Sequence, residues 1–485
     1  MNTPPDDPRG RLRRAVYLLL ITASTGSMLG RTFAVNSVDH VRLEKHLKDQ
    51  GRSDWQKQRP FLSANDRSRW ATVRALVEHG TYSIDEIVSQ PNWDTIDMVK
   101  HDGRGREAPG PNEGRLYSSK PPLIATLMAG PYWLIHRLTG ATLATHPFAI
   151  GRGLIVLFNI VPMIVYLWVV AQLIERFGDS DWGRMYAMTA AAFGTFLTTF
   201  AVAINNHLPA AVCAAVALYA AAKIWYDGER SLWWFALAGT FSALTAACEL
   251  PALAFFVAMT VGLLLVSPAA AMRAFVPPAF LVLAASMATN YLAHHSIAPP
   301  YVHRTEGDNW YDYQFVRDGK VRQSYWSNIE DRSPIDQGEK SPQTYALHVL
   351  VGHHGIFSLT PIWLFSLAGV VTMCWRSQPN LRALGLLVGG VSLVCLAFYL
   401  GPFHDRNYGG MSSGFRWMFW FAPLWLIGML PAVDQFSERP WWRGLAIVFL
   451  CLSVLSASYP TWNPWTHPWL LDFLLHMEWA RLGAG

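Results

Sequence analysis

Long apolar runs constrain this chain more than any other feature. Gly153 to Val170, Tyr186 to Ile204, Leu208 to Ala222 and Phe275 to Ala293 approach or exceed the roughly 18 to 20 residues that cross about 30 Å of hydrocarbon as helix. Within lipid a segment has to satisfy its own backbone N–H and C=O groups, so such runs read as helices. Further apolar segments lie near 121 to 138, 232 to 248, 251 to 267, 356 to 375, 383 to 400, 417 to 433 and 443 to 458. Of the 485 residues 52% are hydrophobic and only 15% charged, with 22 Trp and 25 Phe, which excludes an ordinary soluble protein. The expected class is an all-α polytopic membrane protein with about eleven transmembrane helices, within a range of about 10 to 13.

Arg9, Arg11, Arg13 and Arg14 precede the first apolar stretch, Ala15 to Leu29. No small-residue cleavage site follows and many spans do, so the stretch reads as a retained anchor. The expected organisation is a cytoplasmic N-terminus over 1–14, a first transmembrane helix over 15–35 and a first outer loop over 36–120. A membrane core over 121–293 follows, then a second large outer loop over 294–355, C-terminal transmembrane helices over 356–458 and a Trp/Pro-rich tail over 459–485. Segment 121–138 opens with Pro121 and Pro122 and contains Gly130 and Pro131, which suits an interfacial or re-entrant helix. If it does not cross, Arg176, Arg184, Lys223, Arg230, Arg273, Arg376, Arg382, Arg439 and Arg443 gather on the cytoplasmic side, as the positive-inside rule requires. The net charge of +5 is then a topology signal, and no nucleic-acid partner is expected. Cys213, Cys248, Cys374, Cys395 and Cys451 sit in or beside apolar segments without metal or disulfide spacing and read as small hydrophobes.

In the first outer loop, Asn65 reads as an N-cap, Trp70, Val73, Leu76 and Val77 recur at helical spacing, and Gly80 ends the run. Asp66 therefore falls in the first turn of a short amphipathic helix. The Gly, Pro and charge-rich stretch from His101 to Arg115 reads as a mobile loop. The chain returns to the membrane at Tyr117-Ser118-Ser119-Lys120-Pro121-Pro122-Leu123.

Asp66-Arg67-Ser68-Arg69-Trp70-Ala71 through Gly80-Thr81-Tyr82, followed by Tyr117 to Leu123, resembles the first outer loop of GT-C superfamily glycosyltransferases. Those enzymes use polyprenyl-phosphate sugars and include the protein O-mannosyltransferases and the lipid A aminoarabinose transferase. The resemblance covers residues 10 to 225 best. It implies a GT-C-like helical bundle, Asp66 as catalytic acid or base, Lys120 as a contact to the lipid phosphate, and inversion at the anomeric carbon. A departing phosphate needs its developing charge neutralised and the acceptor hydroxyl needs a base, so one carboxylate and one fixed cation suit the reaction. Against these readings stand a capping aspartate and a snorkelling lysine.

Where the family usually carries a second acidic motif, this chain reads Ile204-Asn205-Asn206-His207-Leu208-Pro209. Asn206 and His207 are candidate substrate contacts, but a divalent metal, the one candidate cofactor, loses its usual oxygen anion. Gly409 to Phe415 form a glycine-rich approach to Arg416, which stands as a candidate phosphate contact beside the plainer reading of a headgroup anchor. His353 and His354, with His404 and Asp405, form a weaker candidate cation site. Trp310, Tyr311, Tyr313, Tyr325 and Trp326 suit sugar stacking, or packing of their own loop. Glu249, beside Pro251, reads as a polar turn residue.

The expected function is transfer of a sugar from a polyprenyl-phosphate donor to a glycan, lipid or protein acceptor, on the non-cytoplasmic face of a membrane such as the bacterial inner membrane. Membrane lipids are the other expected partners. The competing classes are a noncatalytic scaffold of the same fold and a secondary transporter, the latter disfavoured by the absence of an internal repeat.

Overall fold

The computed structural model describes residues 8–34, 48–49, 51, 61–317, 319–375, 379–401, 405–460 and 463–480. Among these, six helices are long and apolar enough to cross a membrane: Pro147–Phe177, His207–Trp225, Pro268–His294, Leu381–Leu400, Arg416–Phe436 and Pro440–Ser458. Leu232–Cys248, Leu250–Val266 and Trp363–Trp375 are shorter and equally apolar. The chain is a multi-pass helical membrane protein, with fewer full-length spans among the described residues than the sequence suggested.

The reason is breakage. The run expected as one span over 185–204 divides into Asp181–Phe193 and Phe196–Phe200, with Thr195 extended (φ −118°, ψ 149°) between them. The run over 356–375 divides at Thr360 and Pro361, because Pro361 offers no N–H to continue the ladder. The first helix, Pro8–Ala34, begins inside the arginine-rich stretch expected to precede it. Arg13 is buried there, its Nε and Nη2 donating to Glu175 at 2.6 and 2.7 Å and its Nη1 to Asp181. Pairing neutralises the guanidinium and lets the helix start early. Elsewhere small residues set the spacing of helices: a Cβ at Gly369 would lie 2.1 Å from the Gly428 carbonyl oxygen, so these two helices meet backbone to backbone.

At one end of the bundle the two long polar stretches fold together as a cap. The helix Ala64–Glu78 is capped by Ser63, whose Oγ accepts from Asp66 N at 3.0 Å, two positions before the expected cap at Asn65. Asp66 does lie in its first turn, but every residue from Asp66 to Ala75 is buried, so the helix is enclosed rather than amphipathic. Leu123–Thr139 packs beside it. Tyr132 Oη donates to Glu78 Oε1 at 2.5 Å and accepts from Leu143 N at 2.7 Å, while Leu127, Trp133, Leu134 and Leu138 face outward.

The chain is helical with few strands; among the described residues the cap holds three short two-stranded antiparallel hairpins that the all-α expectation left out. In the first, Met98–His101 pairs with Arg115–Ser118, Met98 opposite Ser118. The 101–115 segment expected to be mobile closes this hairpin, and Asp102 Oδ1 accepts from Arg104 N and Arg106 N at 2.7 and 3.0 Å. Lys100 N donates to Trp310 O at 2.9 Å, Lys100 Nζ to Gln314 O at 2.7 Å, and Trp326 Nε1 to Ile96 O at 2.8 Å. These bonds join the first and second polar stretches. Trp310, Tyr311 and Tyr313 are buried at the seam, so they pack the cap against itself.

Candidate functional site

Between the cap and the bundle the chain from Ala201 to Asn206 is not helical, and its backbone groups are satisfied by side chains. Asn159, on the π-helical turn Val156–Ile160, donates through Nδ2 to Ala201 O and Ala203 O, both at 2.9 Å. Asn205 Nδ2 donates to Phe200 O and Ala203 O, and its Oδ1 caps the next helix by accepting from Leu208 N at 2.9 Å. Asp66 completes the clamp. Its Oδ1 accepts from Ile204 N and from Trp70 Nε1, each at 3.0 Å, and its Oδ2 from Leu62 N at 3.2 Å. The carboxyl is 1% exposed and lines a narrow cavity with Thr32, Phe61, Phe148 and Arg152. Burial pushes it up to about 6, against the pull of the Leu62 and Ile204 N–H groups and of Arg69.

The clamp presents Asn206 and His207 to three cations drawn from separate segments. Arg69, one turn after Asp66, donates from Nη2 to Asn206 Oδ1 at 2.7 Å and from Nη1 to Asn65 Oδ1 at 2.5 Å. Its Nε is buried without a hydrogen-bond partner. Lys120 is held at the end of the hairpin by Asp97, whose Oδ1 accepts from Nζ at 2.8 Å, and its side chain remains 19% exposed. Arg416 donates from Nε to Gly409 O at 2.8 Å and from Nη1 to His207 Nε2 at 3.0 Å, with its guanidinium 5.1 Å from the Trp465 ring centre. Burial lowers Lys120 to about 8, with Asp97 opposing and both Arg69 and Arg416 adding to the fall. Burial likewise lowers Arg69, to about 10, and Arg416 adds to it. Asp66, Asp97 and Glu249 oppose these three cations, and the unpaired Arg69 Nε leaves a charged donor open to a bound anion.

Behind this group, His207 Nδ1 and Glu249 Oε1 stand 2.5 Å apart, both side chains buried. The carboxylate oxygen faces the ring nitrogen at angles outside those of a hydrogen bond. Glu249 lies in the turn between two helices, as the sequence suggested, but its buried side chain faces the site.

The structure thus brings together Asp66, Lys120, Asn206, His207 and Arg416, on or beside one clamp. Sequence reasoning missed Arg69, Asp97, Asn159 and Glu249. An acid between two apolar runs is the one signal that could have found Glu249; Arg69 lay unnoticed inside the quoted motif. The histidine site does not assemble among the described residues: His404 lies outside them and Asp405 is turned to Arg304 at 3.0 Å. His353 and His354 bring their Nδ1 atoms to 2.5 Å, and burial pushes His353 down to about 3.

The residues present do not fit a divalent metal at the main site. No three His, Cys, Asp or Glu side chains converge among the described residues. Asp66 is occupied by three N–H donors, Asn206 Oδ1 by Arg69, Asp97 by Lys120 and Glu249 by His207.

No protein-family model matches the chain. No curated protein matches it either. Two solved structures align with it at low similarity, both of an oligosaccharyltransferase from Archaeoglobus fulgidus. The archaeal oligosaccharyltransferase AglB in complex with an inhibitory peptide and a dolichol-phosphate aligns at 11% identity and a TM-score of 0.43, over 96% of this chain and 58% of its own. The apo form aligns at 11% identity and a TM-score of 0.41, over 92% and 55%. The chain therefore spans a little over half the length of these proteins.

Proposed function

We propose that this protein is an integral membrane glycosyltransferase that moves a sugar from a polyprenyl-phosphate donor to a glycan, lipid or protein acceptor, with inversion, on the non-cytoplasmic face. The observation that carries the reading is the buried convergence of Arg69, Lys120 and Arg416 where the cap meets the helix ends. A phosphate at the polar end and a prenyl chain along the apolar helices match that boundary in charge and in polarity.

In the reaction the acceptor oxygen attacks the anomeric carbon, and the bond from that carbon to the phosphate oxygen breaks. The phosphate leaves with the electron pair. Arg69, Lys120 and Arg416 neutralise the charge that grows on it, the part a metal plays where one is bound. The acceptor proton passes to a carboxylate, and Asp66, pushed up to about 6, is ionised at neutral pH yet more basic than an ordinary aspartate. Asn206 and His207 border the sugar or phosphate.

A second reading, a noncatalytic membrane scaffold, is favoured by the three donors that already occupy Asp66. Transfer from a panel of radiolabelled polyprenyl-phosphate sugars, in membranes holding equal amounts of wild type, Asp66→Asn and Lys120→Ala, separates the two. Label reaching an acceptor with wild type and lost in both variants supports the enzyme; silence across the panel supports the scaffold.

A further inference from the structure

Glu249 is the C-cap residue of Leu232–Cys248 (φ −132°, ψ 106°), and the turn Leu250–Ala252 holds it through Ala252 N, which donates to its carbonyl at 2.9 Å. A carboxylate only 6% exposed at the end of an apolar helix is costly to bury, and such a group is retained for a purpose. It touches neither Lys120 nor Arg416 directly. Its contact is with His207, and His207 in turn contacts Arg416.

The protonation of this string follows from its chemistry. A guanidinium has donors only, so His207 Nε2 has to present its lone pair to Arg416. A neutral imidazole carries one N–H, which then sits on Nδ1, facing Glu249. The Glu249 carboxylate facing Nδ1 reinforces the tautomer that Arg416 requires, and without it only the Arg416 contact favours that form. The alternative, with the proton on Nε2, turns a donor toward the Arg416 donor and removes one of the three contacts that aim the guanidinium; the Gly409 carbonyl and the Trp465 face remain.

We propose that Glu249 is a positioning residue for phosphate capture, fixing the imidazole of His207 so that Nε2 holds Arg416 beside Arg69 and Lys120. The proposal rests on the phosphate-site reading above. It gives this chain a carboxylate at its centre from a helix end other than the one where the Asn205-Asn206 pair stands, and the carboxylate acts through an arginine.

Binding of farnesyl phosphate and of farnesol to the purified full chain in detergent tests it. Wild type should prefer the phosphate. Glu249→Gln is close to isosteric, and its amide can offer either a donor or an acceptor to Nδ1. It should weaken farnesyl phosphate about tenfold, the scale of one charge-assisted hydrogen bond, and leave farnesol unchanged. His207→Ala should reproduce the loss. In an Arg416→Ala background Glu249→Gln should have no further effect, whereas a merely structural role would persist there and would also lower farnesol binding and the melting temperature. A wild type with no preference for phosphate overturns this inference together with the phosphate-site reading. A wild type with the preference, and a Glu249→Gln effect that is absent or survives the loss of Arg416, overturns the inference alone.

Discussion

Arg69 donates to the side-chain oxygen of Asn206 at 2.7 Å, across 137 positions of sequence, and so ties the cap to the start of a membrane helix. Arg69 is buried and Asn206 half-buried, and the bond carries a formal charge on the donor. A double-mutant cycle of Arg69→Gln and Asn206→Ala, read as melting temperature in detergent, should therefore show coupling of about 1 to 3 kcal/mol. Additive losses would mean that the contact contributes nothing to the junction.

Transfer activity should follow a bell-shaped pH profile. Asp66 acts once ionised, so the rate should rise as pH passes about 6. Lys120 serves as a cation, so the rate should fall as pH passes about 8. Lys120→Arg, which stays charged, should abolish the alkaline limb and leave the acid limb in place. An alkaline limb unmoved in that variant removes Lys120 from the titration.

Asp66 should also leave a mark on stability. Its native carboxyl binds a proton more tightly than the unfolded chain does, so the advantage is complete below the usual carboxylate range. It is lost as pH rises from about 4 to about 6. The melting temperature of Asp66→Asn relative to wild type should accordingly climb over that interval and level off above it. A constant difference across the interval would show that the carboxyl titrates as an ordinary one.

The helical membrane character was legible because apolar run length is a local property. The Asp66 turn, the return through Lys120 and the glycine-rich approach to Arg416 were visible for the same reason. What was hidden depends on distant partners. Thr195 and Pro361 break runs that hydropathy alone reads as continuous, and the non-helical backbone from Ala201 to Asn206 is tolerated because Asn159, Asn205 and Asp66 supply its hydrogen bonds. The cap hairpins escaped notice because their strands are two to four residues long, too short for an alternating pattern. Glu249 was misjudged because its meaning lies in His207, on another helix.

Tyr132 bridges Glu78 and the Leu143 amide from a fully buried position. Tyr132→Phe keeps the ring and deletes both bonds, so it should destabilise the cap by about 1 to 3 kcal/mol. Limited proteolysis, comparing cleavage in the cap with cleavage elsewhere, checks this. Uniform protection in the variant would place the stability of the cap in other contacts.

Gly369 and Gly428 meet with no room for a side chain. Gly369→Ala should force the two helices apart and lower stability by about 1 to 3 kcal/mol, and Gly369→Leu should cost more. Ordered losses along Gly, Ala and Leu in detergent melts would establish the close approach, and an unchanged Gly369→Leu protein would refute it.

The bond from Lys100 to Gln314 spans 214 positions, and the membrane helices between them have to be synthesised first. At about 5 to 20 residues per second, the first half of the cap waits on the order of ten to forty seconds for its other half. During that interval Val99 and Tyr117 lack Trp310 and Tyr311, the partners they finish against. Biogenesis of this protein thus contains a vulnerable period set by chain order, in which a chaperone or a protease meets a half-built cap.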